Sequence, residues 1–357
     1  MVVHITSSKK LNFWFDLCHP PHVLFFAPQI HMLQEMGHRT YITIRDRFQV
    51  ADLCKLKNLQ YHTIGKDYGK SVLLKGRGVV QRTIQLYMHM KNSHVDLAVS
   101  QGSSYQVLAA ALMGIPSVFM TDYEHIYLGF ARRLASYITV PEIIPESVFR
   151  EKHIPSSKLI RYPGLKEEVY LEDYKPDKSF PDQFDISSKS VIVTIRPPLT
   201  EAHYFNPLSE KLYNNVMDYL ITKPAVTIVL LPRSESARQK TVDLKKKAKA
   251  RIVIPKKTIN GLDLIYHSDL VISGGGTMNR EAAAMGVPVY TIFQGPVATM
   301  DKYLSRINRL YFINNLSDIQ NLILKKRKKS IDLISKNTHV KEFLVHRLIE
   351  SAEQINR

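Results

Sequence analysis

The chain has 357 residues, enough for two domains of about 150 to 180 residues each, and its 45% hydrophobic and 23% charged content excludes a disordered or fibrous chain. Its only cysteines, Cys18 and Cys54, exclude a disulfide framework and a thiolate metal site and fit a reducing compartment. The net charge of +17 is spread evenly, 19 basic against 11 acidic residues up to Leu165 and 30 against 21 beyond it, so it indicates no dedicated nucleic-acid module and suits anionic small substrates or an anionic lipid surface.

The first residues, MVVHITSSKK and then LNFWFDL, reach a carboxylate before a signal-peptide core could form. The apolar region 105–120 is interrupted by Gln106, Gly114 and Pro116, which argues against a spanning helix. A cytoplasmic protein, peripheral at most at the inner face of a membrane, is expected. Short runs of Val, Ile, Phe and Tyr then alternate with longer amphipathic stretches, the pattern of β-α units feeding a parallel sheet. Strands are predicted near 11–16, 39–44, 60–64, 96–100 and 117–121, with helices near 22–36, 48–57, 77–92 and 104–113. FWFDLCHPPHVLFFAP sets Asp16, His19 and His22 just after the first strand, a position for acid/base chemistry and equally one for a structural capping histidine. GKDYGKSVLLKGRG, at 65–78, reads as a solvated connecting loop carrying Lys66, Lys70, Lys75 and Arg77. TDYEHIY follows the fifth strand and adds Asp122, Glu124 and His125 at the same carboxyl edge.

Residues 1–165 thus form an amino-terminal Rossmann-like acceptor domain, and 166–189, rich in prolines and charges without periodicity, form a linker. A second alternating series fills 190–336, with strands near 190–195, 226–231, 251–254, 269–272 and 288–292 and helices near 206–222, 235–249, 277–286 and 297–307. KKRKK at 325–329 reads as a solvated helix end. The last segment, 337–357, carries Val340, Phe343, Leu344, Leu348 and Ala352 on one helical stripe, suited to packing back on the first domain. The fold class is α/β, two Rossmann-like domains facing a cleft.

DLAVSQGSSYQVLAAALMGIPSVF (96–119) and DLVISGGGTMNREAAAMGVPVYTI (269–292) run through the same order: Asp-Leu, a short strand, Ser, a glycine turn, an alanine-rich helix, Met-Gly and a proline before the next strand. The shared parts are structural. Special to the second copy are Gly274, Gly275, Gly276, Thr277 and Glu281. There the strand delivers bare amides to a helix amino end, where unpaired N–H groups and the dipole favour an anion, and Glu281 stands one turn along to accept from ribose hydroxyls. The spacing is neither GxGxxG nor GxxxxGK[ST]. Close packing of the glycines is the plain structural alternative. Arg196, closing VIVTI, and Arg233, closing VTIVLLP, sit at the same sheet edge and could neutralise phosphate oxygens. Asp301 could read sugar hydroxyls or pair on its own helix.

With SGGGT, Glu281 and MGVP, the second domain resembles the nucleotide-binding half of the glycosyltransferase B fold, shared by sugar transferases and UDP-N-acetylglucosamine 2-epimerases. PPHVLFFAP is similar to the Gly-Gly-His-Val loop of the peptidoglycan N-acetylglucosaminyltransferase, with prolines in place of the glycines and His22 matched. FWFDLCHPPHVLFF, YITIRDR, YPGLKEEVYL, VTIRPP, LLPRSE and SGGGTMNREAAAMGVP together resemble an uncharacterised prokaryotic glycosyltransferase-like family. The resemblance implies that Gly274, Gly275, Gly276, Thr277 and Glu281 hold a nucleotide, with Arg196 and Arg233 near its phosphates. It sets Asp16, His22, Asp122 and Glu124 toward the sugar or acceptor.

The leading expectation is a metal-independent glycosyltransferase with no cofactor beyond its nucleotide-sugar donor, UDP-linked, acting on a glycan or lipid-linked acceptor in cell-surface polysaccharide or glycolipid synthesis. His22 is its favoured base, with Asp122 or Glu124 as rivals. A UDP-N-acetylglucosamine 2-epimerase-like isomerase and a non-catalytic nucleotide-sugar or RNA-binding protein are the alternatives.

Overall fold

The computed structural model describes residues 9–47, 49–66, 72–198, 206–232, 244–257, 259–334 and 339–355. Two compact units result, one of residues 1–170 with 337–357, the other of residues 171–336. Each is built on a single parallel sheet.

In the first unit the strands are β1 (Asn12–Leu17), β2 (Arg39–Asp46), β3 (His62–Lys66), β4 (Leu97–Gln101), β5 (Ser117–Met120), β6 (Tyr137–Pro141) and β7 (Leu159–Tyr162), in spatial order β3-β2-β1-β4-β5-β6-β7. The principal helices are α1 (Pro20–Glu35), α2 (Val50–Leu56), α3 (Val72–Met90) and α4 (Ser104–Leu112). The strands read as near-continuous apolar runs because both faces of a parallel sheet are covered: Phe13, Phe15 and Leu17 pack on one side with α1, and Trp14 and Ala98 on the other with Leu86 of α3. The helix Val340–Ile355 lays Val340, Leu344, Leu348 and Ala352 into the core shared with α1. In the second unit β8 (Val191–Arg196), β9 (Val226–Leu230), β10 (Arg251–Val253), β11 (Leu270–Ser273), β12 (Val289–Thr291) and β13 (Tyr311–Phe312) take the order β10-β9-β8-β11-β12-β13.

Both orders reverse direction beside the first strand of the unit, between β1 and β4 and between β8 and β11. In open α/β sheets the loops at such a reversal form the ligand crevice. Asp16 is in register with Ser100 at the first reversal, and Arg196 with Ser273 at the second.

Three sequence expectations are corrected. Strands β6 and β7 extend the first sheet beyond the five predicted, because runs as short as YITVP and LIRY between prolines carry no periodicity of their own. Residues 72–78 belong to α3 and not to a loop; Gly76 and Gly78 are absorbed into a long helix held by its later apolar face. KKRKK is an extended strap and not a helix end. Its Arg327 amide and Lys329 Nζ bind the buried Asp269 carboxylate at 3.0 and 2.5 Å, fixing the run across the start of β11. The segment 235–243 of one predicted helix lies outside the described residues.

Candidate functional site

The loops following β1, β4, β5 and β7 bring a cluster of ionisable groups to one edge of the first sheet. Asp16 is its buried anchor. Arg82, reaching in from α3, donates to it through both guanidinium arms at 2.7 and 2.8 Å, while Thr43 and Ser103 hydroxyls donate at 2.8 and 2.5 Å and the Cys18 thiol at 3.3 Å. Burial raises the Asp16 pKa, but the guanidinium and the hydroxyl bonds outweigh it and carry the carboxyl down to about 2. A carboxylate so occupied holds its neighbours in place and has no capacity left for proton transfer.

His22 lies in the first turn of α1, and its Nδ1 accepts from the Cys18 amide at 3.3 Å, which leaves the hydrogen of the neutral ring on Nε2. Burial, then the charges of His19 and Lys166, push its pKa well below the ordinary histidine value. The ring is therefore uncharged at neutral pH and presents a donor. This differs from the expected base, since the backbone amide occupies the lone pair a base would use. Asp122, after β5, pairs with Lys166 Nζ at 2.7 Å and accepts from Gln101 Nε2 at 2.7 Å. Glu124, two residues on, is buried with His125 Nε2 3.9 Å from its carboxylate.

The structure thus gathers Asp122 with two groups that sequence reasoning missed. Gln101 lies in SQGSS, read only as the lesser copy of the glycine turn. Lys166 stands in YPGLKEEVYL, assigned to a linker; a lysine between Leu165 and the pair Glu167-Glu168 was its only local signal.

In the second unit the glycines of SGGGT separate into different roles. A Cβ on Gly274 would meet Pro198 Cα at 2.7 Å, so this glycine serves close backbone packing. Gly275 is the N-cap of the helix Gly276–Met285, extended at φ −148°, and no side chain among the described residues caps that helix. A Cβ on Gly276 would meet none of the described residues within 4 Å. Among the described residues nothing crowds Gly276 at this helix amino end, where unpaired amides and the dipole favour an anion. Arg196 ends the adjacent strand, and its carbonyl accepts from the Gly274 amide at 3.0 Å. Thr277 is half-buried in the first turn and Glu281 is buried one turn along. Arg233 lies outside the described residues.

Two further residues of this helix escaped the sequence reading. Arg280 Nε pairs with Asp301 at 2.9 Å, which assigns Asp301 to a structural pair. Asn279 donates weakly to the Ser273 carbonyl at 3.4 Å, while its buried side-chain oxygen has no hydrogen-bond partner among the described residues. Both are polar residues inside an alanine-rich helix, a position that periodicity alone assigns to the core.

Comparison with known proteins agrees with this architecture. The chain belongs to the family described as protein of unknown function (DUF354), whose model matches residues 11–353. It is 28% identical over 334 residues to the uncharacterised protein MJ0665 of Methanocaldococcus jannaschii, covering 91% of this chain and 95% of the relative. The UDP-GlcNAc 2-epimerase of Neisseria meningitidis, solved bound to UDP-GlcNAc, superposes with a TM-score of 0.73 at 15% identity, over 95% of this chain and 100% of that one. The spinosyn forosaminyltransferase SpnP superposes with a TM-score of 0.60 at 13% identity, over 98% and 95% of the two chains. At such identities the likeness establishes the fold: two Rossmann-like units of the glycosyltransferase B type.

Proposed function

We propose that this DUF354 member acts on a nucleotide-diphosphate sugar, UDP-linked, and transfers its glycosyl group to a hydroxyl of a glycan or lipid-linked acceptor in cell-surface polysaccharide or glycolipid synthesis. The amino end of the helix Gly276–Met285 carries this reading, because among the described residues no side chain caps its first turn and none crowds Gly276, the Ser273 hydroxyl taking only the Gly275 amide. A diphosphate placed there meets backbone amides and the positive end of the helix, with Arg196 on the next strand and Arg233 assigned to the same phosphates. Thr277 and Glu281 then stand where a ribose would follow. These groups supply charge compensation to the departing diphosphate without calling on a divalent ion.

In the transfer, the acceptor oxygen bonds to the anomeric carbon as the bond from that carbon to the diphosphate oxygen breaks. The diphosphate leaves with the electron pair, and the acceptor proton passes to a carboxylate. Asp122, oriented by Lys166 and Gln101, is assigned that proton, with Glu124 as rival. His22 donates through Nε2, and Asp16 positions the loop that holds it.

A second reading, 2-epimerisation of the same donor, is favoured by the buried Asp122–Lys166 pair. Inversion at the sugar C2 breaks and remakes a C–H bond, which needs an acid and a base close together and no acceptor. Both readings take support from neighbours whose names include a UDP-GlcNAc 2-epimerase and a forosaminyltransferase. Thermal unfolding with a panel of nucleotides and nucleotide sugars tests the shared premise: UDP and a UDP-sugar should raise the transition in proportion to log concentration. No shift with any of them rejects both enzymes, and strongly salt-dependent RNA binding that survives Glu281→Ala would then point to the non-catalytic alternative. Incubation with UDP-N-acetylglucosamine in heavy water separates the enzymes, since deuterium at C2 without an acceptor selects the epimerase.

A further inference from the structure

The strands of the second sheet are parallel, so their amino ends share one edge, opposite the glycine turn. Cations stand along it in strand order: Lys249 and Arg251 open β10, Lys189 precedes β8, and the strap crosses in front of β11. The strap is held from beneath. Lys326 Nζ bridges the Asp269 carboxylate at 3.2 Å and the Ser190 carbonyl at 2.9 Å, and Arg327 Nε donates to the Ser268 carbonyl at 2.8 Å. The acid that the strap engages among the described residues, Asp269, is fully buried, so exposed Lys325 and Lys328 are left on the outer face, while Arg251 at β10 faces the exposed Asp185 carboxylate at 3.7 Å. Between β8 and β10 the same edge contains a depression of about 340 Å³ whose wall includes Lys189 and Arg251; the Ser190 and Thr227 hydroxyls there bond to each other at 2.7 Å, and the Arg251 guanidinium donates to the Phe184 carbonyl at 2.8 Å.

We propose that this edge docks the protein on an anionic phospholipid surface, the strap and strand-end cations meeting the head-group phosphates. Adjacent strands are about 4.8 Å apart, so the four strand ends β10, β9, β8 and β11 set the cations in a line of roughly 15 Å, suited to a flat charged surface. Lipid is favoured over RNA on two observations. Ile323, 56% exposed and two residues before Lys325, offers an apolar contact at the same place. The Arg327 guanidinium lies over the Tyr266 ring of this edge at 5.8 Å, so that face of the ring meets a cation of the strap rather than a stacking base.

Co-sedimentation of the full chain with vesicles tests this. Vesicles containing phosphatidylglycerol should bind it and pure phosphatidylcholine vesicles should not, with binding weakened by salt. The double variant Lys325→Glu/Lys328→Glu should bind the anionic vesicles about tenfold or more weakly. Lys55→Glu/Lys57→Glu, the same change in net charge at the carboxyl end of α2 in the other unit, should cost less than about threefold. Equal losses in the two variants would reduce the effect to net charge and overturn the proposal. So would absence of vesicle binding, or RNA binding that depends on the strap while vesicle binding does not. UDP-induced thermal shifts of the same variants report on the donor site separately, so failure of either idea leaves the other readable.

Discussion

The loops after β4 and β11 belong to one supersecondary unit used twice, and their frames agree bond for bond. Asp96 and Asp269 each accept from an amide in the first two residues of the neighbouring strand, Asn12 at 2.8 Å and Ile192 at 2.9 Å. Gly114 and Gly286 each end the helix in the left-handed region, at φ +68° and +75°, and the residue after each returns its amide to the helix at 2.9 Å. Pro116 and Pro288 each accept from the adjoining strand, at Ala98 and Val271. The turns themselves diverge. After β4, Ser103 caps its own helix and binds Asp16, and Arg82 closes the remaining side; after β11, among the described residues, no side chain caps the helix and none lies within 4 Å of a Cβ placed on Gly276. One copy of the turn is filled by protein; in the other, no side chain among the described residues takes that place.

If the first turn is a filled site, emptying it should damage stability. Arg82→Ala leaves the Asp16 carboxylate buried without its partner and should cost about 3–5 kcal/mol in urea unfolding. A loss below about 1 kcal/mol would mean that the cluster is not the anchor of this unit. Gly274→Ala tests the structural share of the second turn: the added Cβ would lie 2.7 Å from Pro198 Cα, a backbone atom that cannot swing away. It should cost about 1–3 kcal/mol.

Asp16 also predicts an acid dependence. Its folded pKa of about 2 lies below the ordinary 3.8, so its contribution is fully present above the ordinary value and is lost as pH falls from about 4 toward 2. The loss should be about 2 kcal/mol, and Asp16→Asn should be flat over that window relative to the parent. A parallel fall in both proteins would assign the acid sensitivity to other carboxylates.

Much of this contrast was legible in the sequence. The repeated Asp-Leu, Met-Gly and proline positions mark the frame because each has a local backbone job. The glycines and Glu281 stood out because the first copy lacks them. What stayed hidden depends on partners far along the chain: Arg82 lies 66 positions from Asp16, and Lys166 is 44 from Asp122, so neither pair leaves a local pattern. The neutral state of His22 follows from its burial and the charges of His19 and Lys166, and its donor tautomer from one amide contact at Cys18, none of which periodicity encodes. The three glycines read as a single motif, although Gly274 is fixed by packing and Gly276 has none of the described residues against it.

That last distinction yields the smallest effect on stability and the sharpest test of the comparison. Gly276→Ala adds a methyl group where none of the described residues lies within 4 Å, at the first residue of a helix, so stability should change by no more than about 0.5–1 kcal/mol and in the favourable direction. The same methyl group occupies space assigned to the diphosphate and should abolish or strongly reduce the thermal shift produced by UDP. Ser103→Ala in the first turn should do the reverse, losing about 1 kcal/mol of cap stability and leaving the UDP shift intact. A Gly276→Ala protein that still responds fully to UDP would place the ligand elsewhere. The open turn would then be, like its counterpart after β4, a piece of scaffold.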